Sequence, residues 1–151
     1  RVTYVTYFHG RLFKFNFNKK FKDQLRIVEK TFAGFDMAPK GFEKVETESL
    51  AFNKKFKIQA TTKEHAFYII TSTMLEEILR IESLFGGSIS LLYRDNSLYI
   101  AVNDNKNTLE PRLNIPLTDE GLKYYLYDIL IMSEIINGLD LDKRKFNENL
   151  S

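Results

Sequence analysis

The segment from Arg11 to Asn18 reads RLFKFNFN, and its strict alternation constrains the fold more than any other stretch of the chain. In an extended strand Phe13, Phe15 and Phe17 share one face, while Lys14, Asn16 and Asn18 share the other. Three rings on one face need a covering layer, and the alternation predicts that they point into a core. Val2 to Phe8 also reads as a strand. His9-Gly10 lies between the two runs and is compatible with a tight hairpin turn or with a bulge in one long bent strand.

Further strands follow. Leu25 and Ile27 alternate with Arg26 in Gln24 to Glu29, and Phe56, Ile58 and Ala60 alternate with Lys57 and Gln59. Between them, Ala33 to Lys44 carries Gly34, Pro39 and Gly41 and reads as a long loop. Ser88 to Tyr93 and Leu98 to Val102 are the last two strands. Asp95-Asn96 tolerates left-handed backbone and joins them as a hairpin. A two-residue loop pairs Arg94 with Ser97 and Tyr93 with Leu98. Leu91, Tyr93, Leu98, Ile100 and Val102 then share a face. If both turn residues have positive φ, Asn96→Gly is neutral or mildly stabilising.

Helix occupies the middle and the end. Thr61 before Glu64 and Thr73 before Glu76 are capping-box patterns. Phe67, Ile70, Met74, Ile78, Ile81 and Phe85 step by three or four and predict one apolar face. Thr71-Ser72-Thr73 predicts a break, and Gly86-Gly87 a stop. Thr118 caps a last helix, with Asp119 and Glu120 in its first turn and Gly138 at its end. Leu122, Tyr125, Leu126, Ile129, Met132 and Ile136 are its expected buried stripe. The expected fold is α+β: a mainly antiparallel sheet of about six strands packed against a middle helical pair and a C-terminal helix.

With 151 residues, one domain spanning 1–151 is expected. A hydrophobic share of 44% and a charged share of 28% are those of a chain that folds. The net charge of +2 is too small to imply nucleic acid or an anionic membrane on its own. Zero Cys excludes disulfides, a thiolate metal site and a Cys nucleophile. No apolar run reaches the ~20 residues that span a bilayer; the longest, Tyr124 to Ile136, is interrupted by Asp128, Ser133 and Glu134. The chain opens at Arg1 and enters a strand pattern at once. It is expected to be a fragment, with targeting or membrane segments upstream.

Chemistry-bearing patterns are sparse. His9 and His65 are the only histidines and lack HxH or HxxxH spacing, so neither a structural metal nor any other cofactor is expected. Glu43, Glu46 and Glu48 lie close together, with Glu76-Glu77 later; paired carboxylates serve as acid and base only where environment separates their pKa values. Gly86-Gly87 sits in neither GxxxxGK[ST] nor GxGxxG. Lys14, Lys19, Lys20 and Lys22 interleave with Phe15, Phe17 and Phe21, residue types that bind single-stranded nucleic acid when they share a face. Alternation puts Lys14 opposite its neighbouring Phe residues, which disfavours that reading. Lys54, Lys55 and Lys57 form a second basic cluster that suits a solvated edge.

Three stretches carry a family likeness: FHGRLFKFNFNKKFK from Phe8, VETESLAFNKKFKIQA from Val45 running into HAFYIITSTMLEEIL, and SLYIAVN followed by LEPRL. Together they resemble the bacterial domain-of-unknown-function family 3137. The resemblance implies a membrane-anchored protein with hydrophobic segments upstream and this soluble region on the cytoplasmic side. It implies no activity, and no catalytic, cofactor-binding or metal-ligating residue is assigned. The expected function is a non-catalytic recognition domain for a protein or small ligand. The alternative is an enzyme with a dispersed acidic site near Glu43, Glu46 and Glu48. Contact of the lysine clusters with anionic lipid is a third reading, for a fragment that sits beside a bilayer.

Overall fold

The alternating runs hydrogen-bond into one antiparallel sheet. In the computed structural model, residues 3, 8–32, 37–106, 118–141 and 143–147 are described, apart from the side chains of 124, 125 and 128. The strands are β1 (Arg11–Asn16), β2 (Leu25–Glu29), β3 (Glu43–Val45), β4 (Phe56–Ala60), β5 (Ser88–Arg94) and β6 (Ser97–Asn103). Their spatial order is β1-β6-β5-β2-β4-β3. The helices are α1 (Leu50–Lys55), α2 (Lys63–Ile69), α3 (Ser72–Leu84), α4 (Asp119–Gly138) and α5 (Arg144–Asn147). The fold is α+β, as the periodicities require. The strand expected over Val2 to Phe8 falls almost wholly outside the described residues. β3 instead emerges from the expected loop: three residues show no alternation, and the free edge of β4 makes them a strand.

Register explains the core. Phe13, Ile100, Leu91, Ile27, Ile58 and Val45 stand opposite one another across all six strands and are all buried. Phe13 and Phe17 are buried, and Phe15 is half-buried against the same cluster. The hairpin pairs Tyr93 with Leu98 and Arg94 with Ser97 as expected. Only Asp95 of its two turn residues has positive φ, at 54°. The turn carbonyls of Asn96 and Asp95 accept the Phe17 and Phe21 N–H groups at 2.7 and 2.8 Å, so the β1–β2 connection wraps the hairpin tip. Gly10 runs against the far end of β6, where a Cβ would lie 1.9 Å from the Val102 carbonyl oxygen.

The helix starts are displaced from the capping-box positions. Thr62, not Thr61, caps α2 through the His65 N–H. The Thr61 hydroxyl is committed to Asp23 at 2.8 Å and to the Gln24 N–H at 2.9 Å. Thr71, not Thr73, caps α3 through the Met74 N–H. The expected break is present: Ile70 and Thr71 are extended, with ψ of 127° and 159°. That break resets the helical phase, so α2 buries His65, Ala66 and Ile69 and turns Phe67 outward. Met74, Ile78, Ile81 and Phe85 are buried as expected.

Thr118 caps α4 through the Gly121 N–H. Its buried stripe is not the expected one. Ile131, Ile135 and Leu139 face the core and Met132 is half-buried, whereas Leu122, Leu126, Ile129 and Ile136 face outward. The Tyr125 side chain lies outside the described residues. α4 carries two apolar stripes, and periodicity alone does not rank them.

A buried ion pair closes one end of the helix-covered sheet face. Arg11 Nη2 lies 2.6 Å from Asp104 Oδ2, with side chains 5% and 0% exposed. The guanidinium also lies over the Phe85 ring at 5.1 Å. On the opposite sheet face, buried Arg26 donates to Gln59 Oε1 at 3.1 Å and to the Met37 carbonyl at 3.2 Å.

A candidate recognition cleft

The short connection into α1 and the α2–α3 break open a cleft of about 490 Å³. Ser49 caps α1 and Thr71 caps α3, so two helix starts meet at its rim. Asn53 fixes the approaching loop by donating to the Thr47 carbonyl at 2.6 Å and accepting the Thr47 N–H at 3.2 Å. The floor is apolar, formed by Phe67, Ile70, Leu75 and Leu79. Phe67 is 59% exposed, an aromatic face held open to solvent. Glu48 and Glu76 stand at the rim.

The Thr47, Ser49 and Thr71 hydroxyls that line the cleft are structural. Ser49 and Thr71 each accept a helix N–H, and the Thr47 hydroxyl donates to Asn53 at 3.0 Å. Neither histidine lines the cleft. The His9 ring Nδ1 bonds Asn105 Oδ1. His65 is buried beneath Phe21, ring centroids 5.3 Å apart, and its Nε2 has no hydrogen-bond partner among the described residues. Burial pushes the His65 pKa below its usual value, with nearby Asp23 opposing the shift and Lys19 adding to it. The chemistry left to the cleft is therefore an apolar surface carrying two carboxylates, with Lys44 and Lys63 beside Phe67 in an adjoining pocket.

The three glutamates of the acidic alternative do not converge there. Only Glu48 lines this cleft. Glu43 is exposed on β3. Glu46 pairs with Lys44 at 2.6 Å and opens onto a neighbouring cleft of about 420 Å³. The Lys44 hydrogen bond and charge hold the Glu46 carboxyl below its usual pKa, opposite to what a general acid needs. Glu77 is held by Arg80 at 2.7 Å. No group of three His, Asp or Glu side chains among the described residues could hold a metal ion.

The lysine-aromatic stretch forms no stacking platform, because Phe17 and Phe21 are buried. Lys14 lies over the Tyr99 ring on the opposite sheet face, and Lys19 donates to the Tyr68 hydroxyl at 2.9 Å. Lys55 pairs with Glu82. Sequence reasoning missed Phe67 as a cleft residue and the presence of Glu48 and Glu76 in one lining. The signal for Phe67 was present in Thr71-Ser72-Thr73, since a break there uncouples the two helix phases.

Residues 6–141 match the family described as protein of unknown function (DUF3137). No curated protein matches the chain, and no solved structure does. No helix among the described residues is long and apolar enough to cross a membrane.

Proposed function

The chain belongs to the DUF3137 family, and from that premise we propose that it is a non-catalytic recognition domain of a membrane-anchored bacterial protein, binding partner segments in the cleft beside Phe67. The observation that carries this reading is the cleft's composition: an exposed aromatic floor whose rim carboxylates, Glu48 and Glu76, are its charged groups. The occupant is a short protein segment with an apolar anchor and flanking lysines or arginines. Burying one such anchor contributes about 1.5–3 kcal/mol, and each exposed ion pair at most about 1 kcal/mol. These sum to at most about 5 kcal/mol before the cost of association, so the expected binding is weak, with a Kd no tighter than the order of 0.1–1 mM.

Affinity of that order suits an NMR titration of the amide spectrum. The probes are a peptide with a Leu-Phe-Leu centre between lysine pairs and its glutamate-flanked counterpart. The lysine peptide is expected to shift Glu48, Phe67, Thr71, Leu75 and Glu76, and to lose affinity when Glu48→Gln and Glu76→Gln are combined. Equal binding of both peptides, or shifts concentrated elsewhere, would refute the reading.

A further inference from the structure

We propose that the outward face of α4 pairs with α4 of a second copy of this chain, antiparallel and centred on Ile129. Leu122, Ile129 and Ile136 recur every seven residues on that face, with Leu126 and Ser133 between them. A seven-residue apolar repeat is the pattern that keeps one helix in register with another. This repeat is turned away from the body, which is gripped by Ile131, Ile135 and Leu139 instead. Ile129 is 54% and Leu130 63% exposed, and Leu122 and Leu126 are about half exposed. Together they present on the order of 400–500 Å² of apolar surface, the size of the largest patch on an ordinary monomer, which is often a functional one.

Orientation follows from charge. Lys123 and Glu134 lie on the same flank of the α4 stripe, at nearly equal distances on either side of Ile129. Same-flank positions meet across an antiparallel helix pair, whereas a parallel pair sets opposite flanks together. Antiparallel pairing therefore brings Lys123 of each chain against Glu134 of the other, twice by symmetry. A parallel pair makes neither contact. Glu134 also reaches Arg80 at 3.2 Å, which holds its carboxylate on that flank. In the antiparallel register Leu122 faces Ile136, Leu126 faces Ser133 and Ile129 faces itself. Doubling the patch gives on the order of 900 Å² buried, which is the size of a weak, reversible dimer rather than an obligate one. The expected Kd is on the order of 10–100 μM.

The absence of Cys makes the test clean, because any introduced cysteine is the only thiol. Sedimentation equilibrium from 5 to 500 μM (~100-fold in concentration, to bracket that Kd) should show the wild type passing from monomer to dimer. Ile129→Glu should remain monomeric with an unchanged circular-dichroism spectrum, since that side chain is outward-facing. Lys123→Glu should weaken the dimer about three- to tenfold. Under mild oxidation Ile129→Cys should form a disulfide dimer. Leu122→Cys should not, because the two thiols lie about 21 Å apart along an antiparallel pair. Cross-linking of Leu122→Cys to itself would indicate a parallel pair and overturn the proposal. A wild type monomeric throughout would overturn it too. So would a monomer that binds anionic phospholipid vesicles through this face, which would assign it to a bilayer surface.

Discussion

The Arg11–Asp104 pair is the interaction whose removal should be felt most. Both side chains are almost wholly out of water, and the carboxylate oxygen Oδ2 takes Nη2 at 2.6 Å and Nε at 3.2 Å. Asp104→Ala takes the Asp104 carboxylate away from a guanidinium buried against Phe13 and Phe85. Where nothing else offsets the buried charge, breaking such a pair from one side costs about 3–5 kcal/mol; Arg11 keeps further interactions, so this is the upper bound. For a chain of this length that corresponds to a Tm lower by about 6–20 °C. Replacing both partners with apolar residues, Arg11→Met with Asp104→Leu, removes both charges of the pair together, so it should cost less than the sum of the two single losses. Urea melts followed by far-UV circular dichroism suit the measurement, since there is no Trp to report. The reasoning fails if Asp104→Ala costs less than about 1 kcal/mol, or if the double variant is as unstable as the sum of the singles.

Three further outcomes are expected. Asp95→Gly should stabilise by up to about 1 kcal/mol, because Asp95 alone of the turn pair holds positive φ, whereas Asn96→Gly gains nothing from turn geometry; paired urea melts decide it. Gly10→Ala should destabilise by about 1–3 kcal/mol or more, since its Cβ would meet the Val102 carbonyl of β6; a melt matching the wild type would show that the segment before β1 shifts freely. His65 has a folded-state pKa depressed by burial, so the unfolded chain takes the proton first. Its contribution is therefore full above the unfolded value near 6.5 and declines as pH falls below it toward the lower folded value. Asp23 and Lys19 are the charged groups that act on it, Asp23 raising its pKa and Lys19 lowering it. Urea melts at pH 7.5 and 5.5 (on the order of one pH unit either side of the unfolded value) should show a loss that His65→Leu reduces, and an equal loss in both would exclude His65 as its source.

The strands were legible where a period of two coincided with sheet pairing. The buried face of Arg11 to Asn16 and the register of the Asp95-Asn96 hairpin could both be assigned, because a one-residue shift would turn the apolar set to solvent; the pairing of Arg11 to Asn16 with β6 could not. β3 and α1 were not legible. Glu43–Val45 and Leu50–Lys55 are too short to show a period, and they depend on β4, on the Ser49 cap and on Asn53 holding Thr47 ahead of the helix. The capping boxes were misplaced because Ser and Thr cluster at both starts. Tertiary demands on Thr61 from Asp23 and Gln24 decided which hydroxyl was left to cap. The cleft depends on elements far apart in sequence, Thr47 to Ser49 and Phe67 to Leu79. No local pattern marks Glu48 and Glu76 as neighbours on one rim.

The error on α4 has a different cause, and it bears on what the chain does. The stripe through Leu122, Leu126, Ile129 and Ile136 is as regular as the one through Ile131, Ile135 and Leu139. Periodicity reports that a face is apolar and not what covers it. A surface helix that only needed to seal its own core would require the second stripe alone. Covering a patch of 400–500 Å² contributes on the order of 10 kcal/mol at about 25 cal/mol per Å², from which the cost of association is subtracted. An isolated chain gains nothing from such a surface, so the pattern is best explained by a state in which it is covered. In the antiparallel pair the same stripe forms the seam. The recognition cleft beside Phe67 is lined by the loop before α1, by α2 and by the first turns of α3, none of it on α4. Pairing through α4 therefore leaves the cleft lining outside the seam, and a dimer would present two such clefts to a partner with repeated basic segments. Each cleft is weak alone, and linkage through the seam raises the effective concentration of the second once the first is filled. The Ile129→Glu variant separates the two functions. It should leave the shifts caused by a single lysine-flanked peptide unchanged while abolishing the affinity gain of a tandem peptide. Loss of single-peptide binding in that variant would mean that α4 and the cleft are one site.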